Sequence, residues 1–164
     1  MCNSLPATMR HLLLFISLLA MSSLYGHTTI KMHSTNLTGT YEYDGKTYLK
    51  DGDRYGYFGT IKIKELSKSV IQISFFICKG APSYNVGEFL DTLVLTGSKA
   101  VYRPSCDRNC TIEFAFLKSS VKSVHKDADG DFNYSCCFGM AVIADGYFKK
   151  ISSRVPIKMK PDFE

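Results

Sequence analysis

Apolar side chains fall at every second position through much of this chain. Ile71, Ile73, Phe75 and Ile77 alternate with Gln72, Ser74 and Phe76, and Ile61 and Ile63 alternate with Lys62 and Lys64. Ile112, Phe114 and Phe116 do the same around Glu113 and Ala115, and Phe132, Tyr134, Cys136, Phe138, Met140 and Val142 share one parity. A β-strand turns successive side chains to opposite faces, so such a segment buries one face by forming a strand. No segment carries a convincing helical period. Turn residues bound the runs and predict about eight strands, over 38–44, 55–65, 69–78, 87–95, 98–103, 109–117, 119–125 and 132–149. The last is expected to break near Gly139 or Asp145-Gly146. The fold expected is all-β, an antiparallel meander closed as a small barrel or sandwich and stapled by disulfides.

The start of the chain sets the compartment. Arg10 and His11 precede an apolar run from Leu12 to Met21, followed by Ser22, Ser23 and Gly26. This pattern reads as a secretory leader over residues 1–26, too short to span a bilayer. It predicts export to the periplasm or beyond, cleavage between Ser22 and Thr28, and no stable membrane anchor. Residues 27–37 then read as a flexible lead-in, 38–150 as the β domain and 151–164 as a tail without core pattern. Losing Arg10 leaves 19 cations against 15 acids, a charge of about +4. The basic residues are spread out, whereas nucleic-acid binding needs a concentrated footprint; no nucleic-acid partner is expected.

Export makes the cysteines disulfide candidates. Cys2 leaves with the leader, and Cys78, Cys106, Cys110, Cys136 and Cys137 remain. An odd number leaves one thiol over. Cys110 shares parity with Ile112 and Phe114, and Cys136 with Tyr134 and Phe138, so both point inward and are expected to pair. In a meander Cys78 and Cys106 lie at one rim and are expected to pair there, with Cys106–Cys137 as the rival. Cys137 is then the odd thiol, on the outer face.

Catalytic signatures such as GxSxG, HExxH and phosphate-binding glycine loops are absent from the sequence. A Cys137–His125 nucleophile pair has no support in the spacing. No metal site is expected: CxxC pairs and close His pairs are lacking, and Asp127, Asp129 and Asp131 put Gly130 and Phe138 where a calcium loop needs other residues. No cofactor is expected, and the chain reads as a non-enzymatic binding module. Two surfaces compete. The rim of 79–86, 103–109 and 125–131 offers Tyr84 as an aromatic anchor and Arg103, Asp107 and Arg108 as polar contacts. The tyrosine-rich 41–58 segment offers Tyr55, Tyr57 and Phe58. Asn36, Asn109 and Asn133 stand in glycosylation sequons.

Cys136-Cys-Phe-Gly139 with Ala144-Asp-Gly-Tyr-Phe-Lys149, together with Cys110-Thr-Ile-Glu-Phe114 and Leu37-Thr-Gly-Thr-Tyr41, resembles small secreted bacterial β-domain proteins. Cys137 stands where that pattern usually has glycine. Some of these proteins look distantly like periplasmic lysozyme inhibitors. The resemblance implies a protein partner and inhibition of a hydrolase such as lysozyme. The alternatives are a lipocalin-like binder of a small apolar ligand and a glycan-binding envelope protein.

Overall fold

The structure, a computed structural model, describes residues 36–160. The expected leader and most of the lead-in lie outside these residues. The strands are β1 (Gly39–Tyr43), β2 (Tyr48–Lys50), β3 (Asp53–Ser67), β4 (Val70–Gly80), β5 (Val86–Val94), β6 (Lys99–Tyr102), β7 (Cys110–Phe116), β8 (Ser120–Asp127) and β9 (Gly146–Ser152). All pair antiparallel in the order β5-β4-β3-β1-β9-β8-β7-β6, with β2 folded as a hairpin onto β3. The result is a nearly closed, all-β barrel. β1 closes it by pairing with β3 on one side and β9 on the other. The seam lies between β5 and β6, whose turn makes a Thr96–Lys99 bridge before the strands part. A cleft of about 440 Å³ opens there, lined by residues including Asp91, Leu93, Lys99 and Arg103.

The alternating residues fill the barrel. Ile61, Ile63, Ile71, Ile73, Phe75, Ile77, Ile112 and Phe114 are fully buried. Phe75 is the hub: its ring lies 5.3 Å from Phe89, 5.9 Å from Phe114 and 5.8 Å from Phe148. Burial of large apolar side chains at this density supplies the main driving force for folding. The core also reaches into the expected lead-in. Leu37 is buried, its N–H donates to Glu65 Oε2 at 3.1 Å and its carbonyl accepts the Tyr41 hydroxyl at 2.8 Å.

The expected strand over 132–149 is the largest error of the pattern. Only Gly146–Ser152 is a strand, while 128–145 forms a long loop with a 3₁₀ turn at Ser135–Cys137. Cys136 and Cys137 both take φ of 60°, in the left-handed region where a strand cannot continue. Tyr134 and Met140, expected inward, are exposed. The tail differs too: β9 runs to Ser152, and the buried Lys62 ammonium donates to the Lys160 carbonyl at 3.2 Å.

Cys110 and Cys136 are joined, with Cα atoms 5.2 Å apart. The expected Cys78–Cys106 pair is corrected: Cys106 joins Cys137, with Cα atoms 6.4 Å apart, and Cys78 is the free thiol. The exposed odd thiol assigned to Cys137 falls with it. Cys78 sits inside the sheet, between Phe58 of β3 and Val86 of β5, with parity opposite to Ile77. That holds it away from the 103–109 loop, whereas Cys106 and Cys137 lie on loops free to meet.

Among the cysteines of the described residues, alkylating the native, unreduced protein should label none, and denaturing it should expose one site, Cys78. Mild thiol reductant should open the exposed Cys106–Cys137 bond before the buried Cys110–Cys136 bond. Replacing both Cys110 and Cys136 by alanine should cost about 2–5 kcal/mol in chemical denaturation. Native labelling of Cys137 without reductant would contradict this pairing.

Candidate functional site

Strand direction carries the β2–β3 hairpin, the β4–β5 turn, the 103–109 loop and the 128–145 loop to one end of the barrel. The last of these closes that end. Phe138, Val142 and Ala144 are buried, and the Phe138 ring stacks 6.2 Å from Phe75. Gly87 makes room, since a Cβ there would run into the Phe138 ring. Gly139 N–H donates to the Val86 carbonyl at 2.8 Å, Asn85 Nδ2 to the Met140 carbonyl at 2.9 Å and the Tyr57 hydroxyl to the Ala141 carbonyl at 3.0 Å.

Ser123 and His125 share the inward parity of Val121 on β8, and they receive the loop. The Ser123 hydroxyl donates to the Ala144 carbonyl, and the Ala144 N–H donates to His125 Nδ1 at 3.3 Å. With Nδ1 accepting, the proton of the neutral ring resides on Nε2. Nε2 therefore donates to Ser135 Oγ at 2.9 Å, and the Ser135 hydroxyl donates to Asp127 Oδ2 at 2.5 Å. Burial pushes the His125 pKa below its ordinary value, against the pull of Asp145, Asp127 and Asp107. The Ser135 hydroxyl in turn holds the Asp127 carboxyl below the usual range.

Serine, histidine and aspartate stand together here in an order unsuited to nucleophilic catalysis. That chemistry needs the serine proton aimed at an unprotonated imidazole nitrogen. Here the serine donates to the aspartate, Nε2 is itself a donor, and Ser135 is buried. Cys110, His125 and Cys136 also bring their donor atoms within 4.8 Å of one another. Both sulfurs are joined in a disulfide and Nε2 carries a proton, so the set lacks the deprotonated ligands a metal needs. A Cys137–His125 nucleophile pair, which the spacing does not support, is ruled out because Cys137 is bonded to Cys106.

The expected binding residues are redistributed. Tyr84 is tied to the rival segment: its hydroxyl donates to Asp53 Oδ1 and accepts the Arg54 N–H, both at 2.9 Å. Tyr55 stacks on Tyr48 with ring centroids 5.1 Å apart and planes within 6°. The Arg54 guanidinium lies 4.1 Å from the Phe58 ring centre. Tyr57 packs against the core with its hydroxyl committed to the loop, so it is a positioning residue. Asp107 also positions, its carboxylate accepting the Cys136 N–H at 2.8 Å and the Asn109 N–H at 3.0 Å. Arg103 lines the seam cleft, and Arg108 is exposed on the 103–109 loop.

What the sequence reading missed is the exposed set at this end: Tyr48 at 61 %, Leu49 at 75 %, Tyr134 at 66 % and Met140 at 50 %. Tyr48 lay in the segment singled out, and its pairing partner could have been sought from the Asp51-Gly52 turn. Tyr134 and Met140 were hidden by false strand parity.

Stability should depend on pH through His125. Its folded pKa lies below the unfolded value of about 6.5, so in the window between the two the unfolded chain holds a proton the native state lacks. Stability should therefore fall as pH drops through about 6.5 and level off below the folded pKa. Urea midpoints from roughly pH 5 to 7.5 should show this slope, and His125→Gln should flatten it. A flat wild-type profile would contradict the neutral, buried ring. No protein-family model, curated protein or solved structure matches this chain.

Proposed function

We propose that this chain is an exported, non-enzymatic binding module that grips a protein partner at the loop-closed end of its barrel. The observation that carries the reading is the set of exposed Tyr48, Leu49, Tyr84, Tyr134 and Met140 on rigidly held supports at that end. Tyrosine, methionine and arginine are enriched where proteins bind proteins, and preordered aromatics lose little entropy on docking. β2 is pinned to β3, Tyr84 is tied to Asp53, and Tyr134 stands beside the doubly stapled cysteines. The two disulfides fit an oxidising setting, extracellular or periplasmic. Among the described residues no helix is long and apolar enough to cross a membrane.

The partner class implied by the family resemblance is a hydrolase such as lysozyme, with this chain as its inhibitor. Exposed Asp129 and Asp131 on the closing loop suit a partner of positive charge. The lipocalin-like reading has less support, because the barrel interior is occupied by Phe75, Phe89, Phe114, Phe138 and Phe148. A glycan reading has one observation in its favour: the parallel Tyr48–Tyr55 stack leaves an exposed ring on which a sugar face can lie.

Three baits separate these readings in capture from the envelope and from medium: wild type, Tyr48→Ala with Leu49→Ser, and Arg103→Ala with Arg108→Ala. The first variant should weaken a captured protein by about 2 kcal/mol, some thirtyfold, and the arginine variant by much less. Loss confined to the arginine variant would move the site to the seam side. Binding of purified glycan, abolished by Tyr48→Ala, would favour the glycan reading.

A further inference from the structure

The opposite end of the barrel has a different chemistry. The β3–β4, β5–β6 and β7–β8 turns and the exit of β9 all meet there. Backbone bonds join them in sequence: Leu95 N–H to the Ser69 carbonyl at 2.8 Å, Phe116 N–H to Ser98 at 2.8 Å, and Lys150 N–H to Ser119 at 2.9 Å. Each turn, with the strand ends beside it, carries an exposed apolar side chain and an exposed lysine: Leu66 with Lys68, Val94 with Lys99, Leu117 with Lys118. Past β9 the pattern repeats, with exposed Val155 and fully exposed Ile157 between Arg154 and Lys158.

Single exposed apolar residues are ordinary on a protein surface. At this end one recurs at each of the three turns, within five positions of an exposed lysine, a regularity that folding does not account for. Carboxylates are unevenly distributed along the same axis, while cations such as Lys50, Arg54, Arg108 and Lys126 are present at the loop-closed end as well. Among the described residues of these turns and the exit of β9, Glu65 is the one carboxylate, and it accepts the Leu37 N–H. Asp162 and Glu164 follow outside the described residues. The loop-closed end instead carries Asp51, Asp53, Asp107, Asp127, Asp129 and Asp131.

We propose that this end docks on an anionic lipid bilayer, with Leu66, Val94 and Leu117 entering the interface and Lys68, Lys99 and Lys118 meeting the headgroup phosphates. Leu66 and Val94 stand where β3 and β5 run into separate turns, and Leu117 stands in a third, with exposed Lys68, Lys99 and Lys118 in or next to the same turns. A protein interface centres on a contiguous apolar patch depleted of lysine. A fluid headgroup layer takes separate apolar tips and point charges one by one. Seated this way, the molecule turns its loop-closed end away from the membrane.

The exported, oxidised protein should co-sediment with phosphatidylcholine vesicles containing about 30 % phosphatidylglycerol, and not with phosphatidylcholine alone. Binding should fall as salt rises. Lys68→Gln with Lys118→Gln should weaken partitioning about 25-fold, near fivefold per lysine. Leu66→Ser with Leu117→Ser should weaken it while leaving the salt dependence in place. All four positions are exposed, so thermal melting should be unchanged. Equal partitioning to both vesicles, or to neither, overturns the proposal. So does capture by soluble polyglutamate without capture by anionic vesicles, which would assign the end to an acidic polymer. Tyr48→Ala with Leu49→Ser should leave vesicle binding unchanged; its loss in that variant would place the membrane contact at the other end and refute this one.

Discussion

Both backbone groups of Ala144 are held by side chains of one strand, the N–H by His125 and the carbonyl by Ser123. A buried loop must satisfy its polar backbone, and a barrel lined with Ile and Phe offers few partners. Two polar residues at inward positions of β8 meet that need. They let 128–145 enter the barrel mouth and bring Phe138 onto Phe75. The neutral imidazole is central, because only the unprotonated Nδ1 can accept the Ala144 N–H.

The disulfides act on the same loop from the other side. Cys136 and Cys137 are consecutive and both left-handed, a conformation of order 1–3 kcal/mol for residues with a side chain. Their bonds to Cys110 and Cys106, with the Asp107 carboxylate on the Cys136 N–H, over-determine it. The loop is thereby rigid at its base while Tyr134 and Met140 project outward. Rigid support under exposed aromatics is what recognition by a preformed surface requires.

Antiparallel topology sorts the surface into two ends. Alternate turns emerge at opposite mouths, so short Ser- and Lys-bearing turns gather at one and long loops with aspartates and tyrosines at the other. The long loops support the proposed partner site and the short turns the proposed membrane contact. The two proposed sites thus lie at opposite ends of the barrel.

Period-two patterning located β3, β4, β5, β7 and β8 closely, because each buries apolar residues of one parity and a shift of one residue would expose them. It failed over 132–149, where alternation was accidental and the left-handed cysteines ended any strand. β2 was missed because all three of its residues are exposed and carry no burial signal. The contacts of Tyr84 were not legible, since nothing local specifies that its hydroxyl reaches Asp53, 31 positions earlier.

The sequence by itself determined the all-β class, most strand positions, the inward set from Ile61 to Phe116 and an odd thiol among Cys78, Cys106, Cys110, Cys136 and Cys137. Each follows from local alternation or from counting. The tertiary structure alone decided that Cys78 is the free thiol, that 128–145 closes the barrel, and that His125 serves as an acceptor for Ala144. It also decided that Leu66, Val94 and Leu117 stand on one end. These depend on which distant segments share a rim, and loops carry no periodicity from which that can be read.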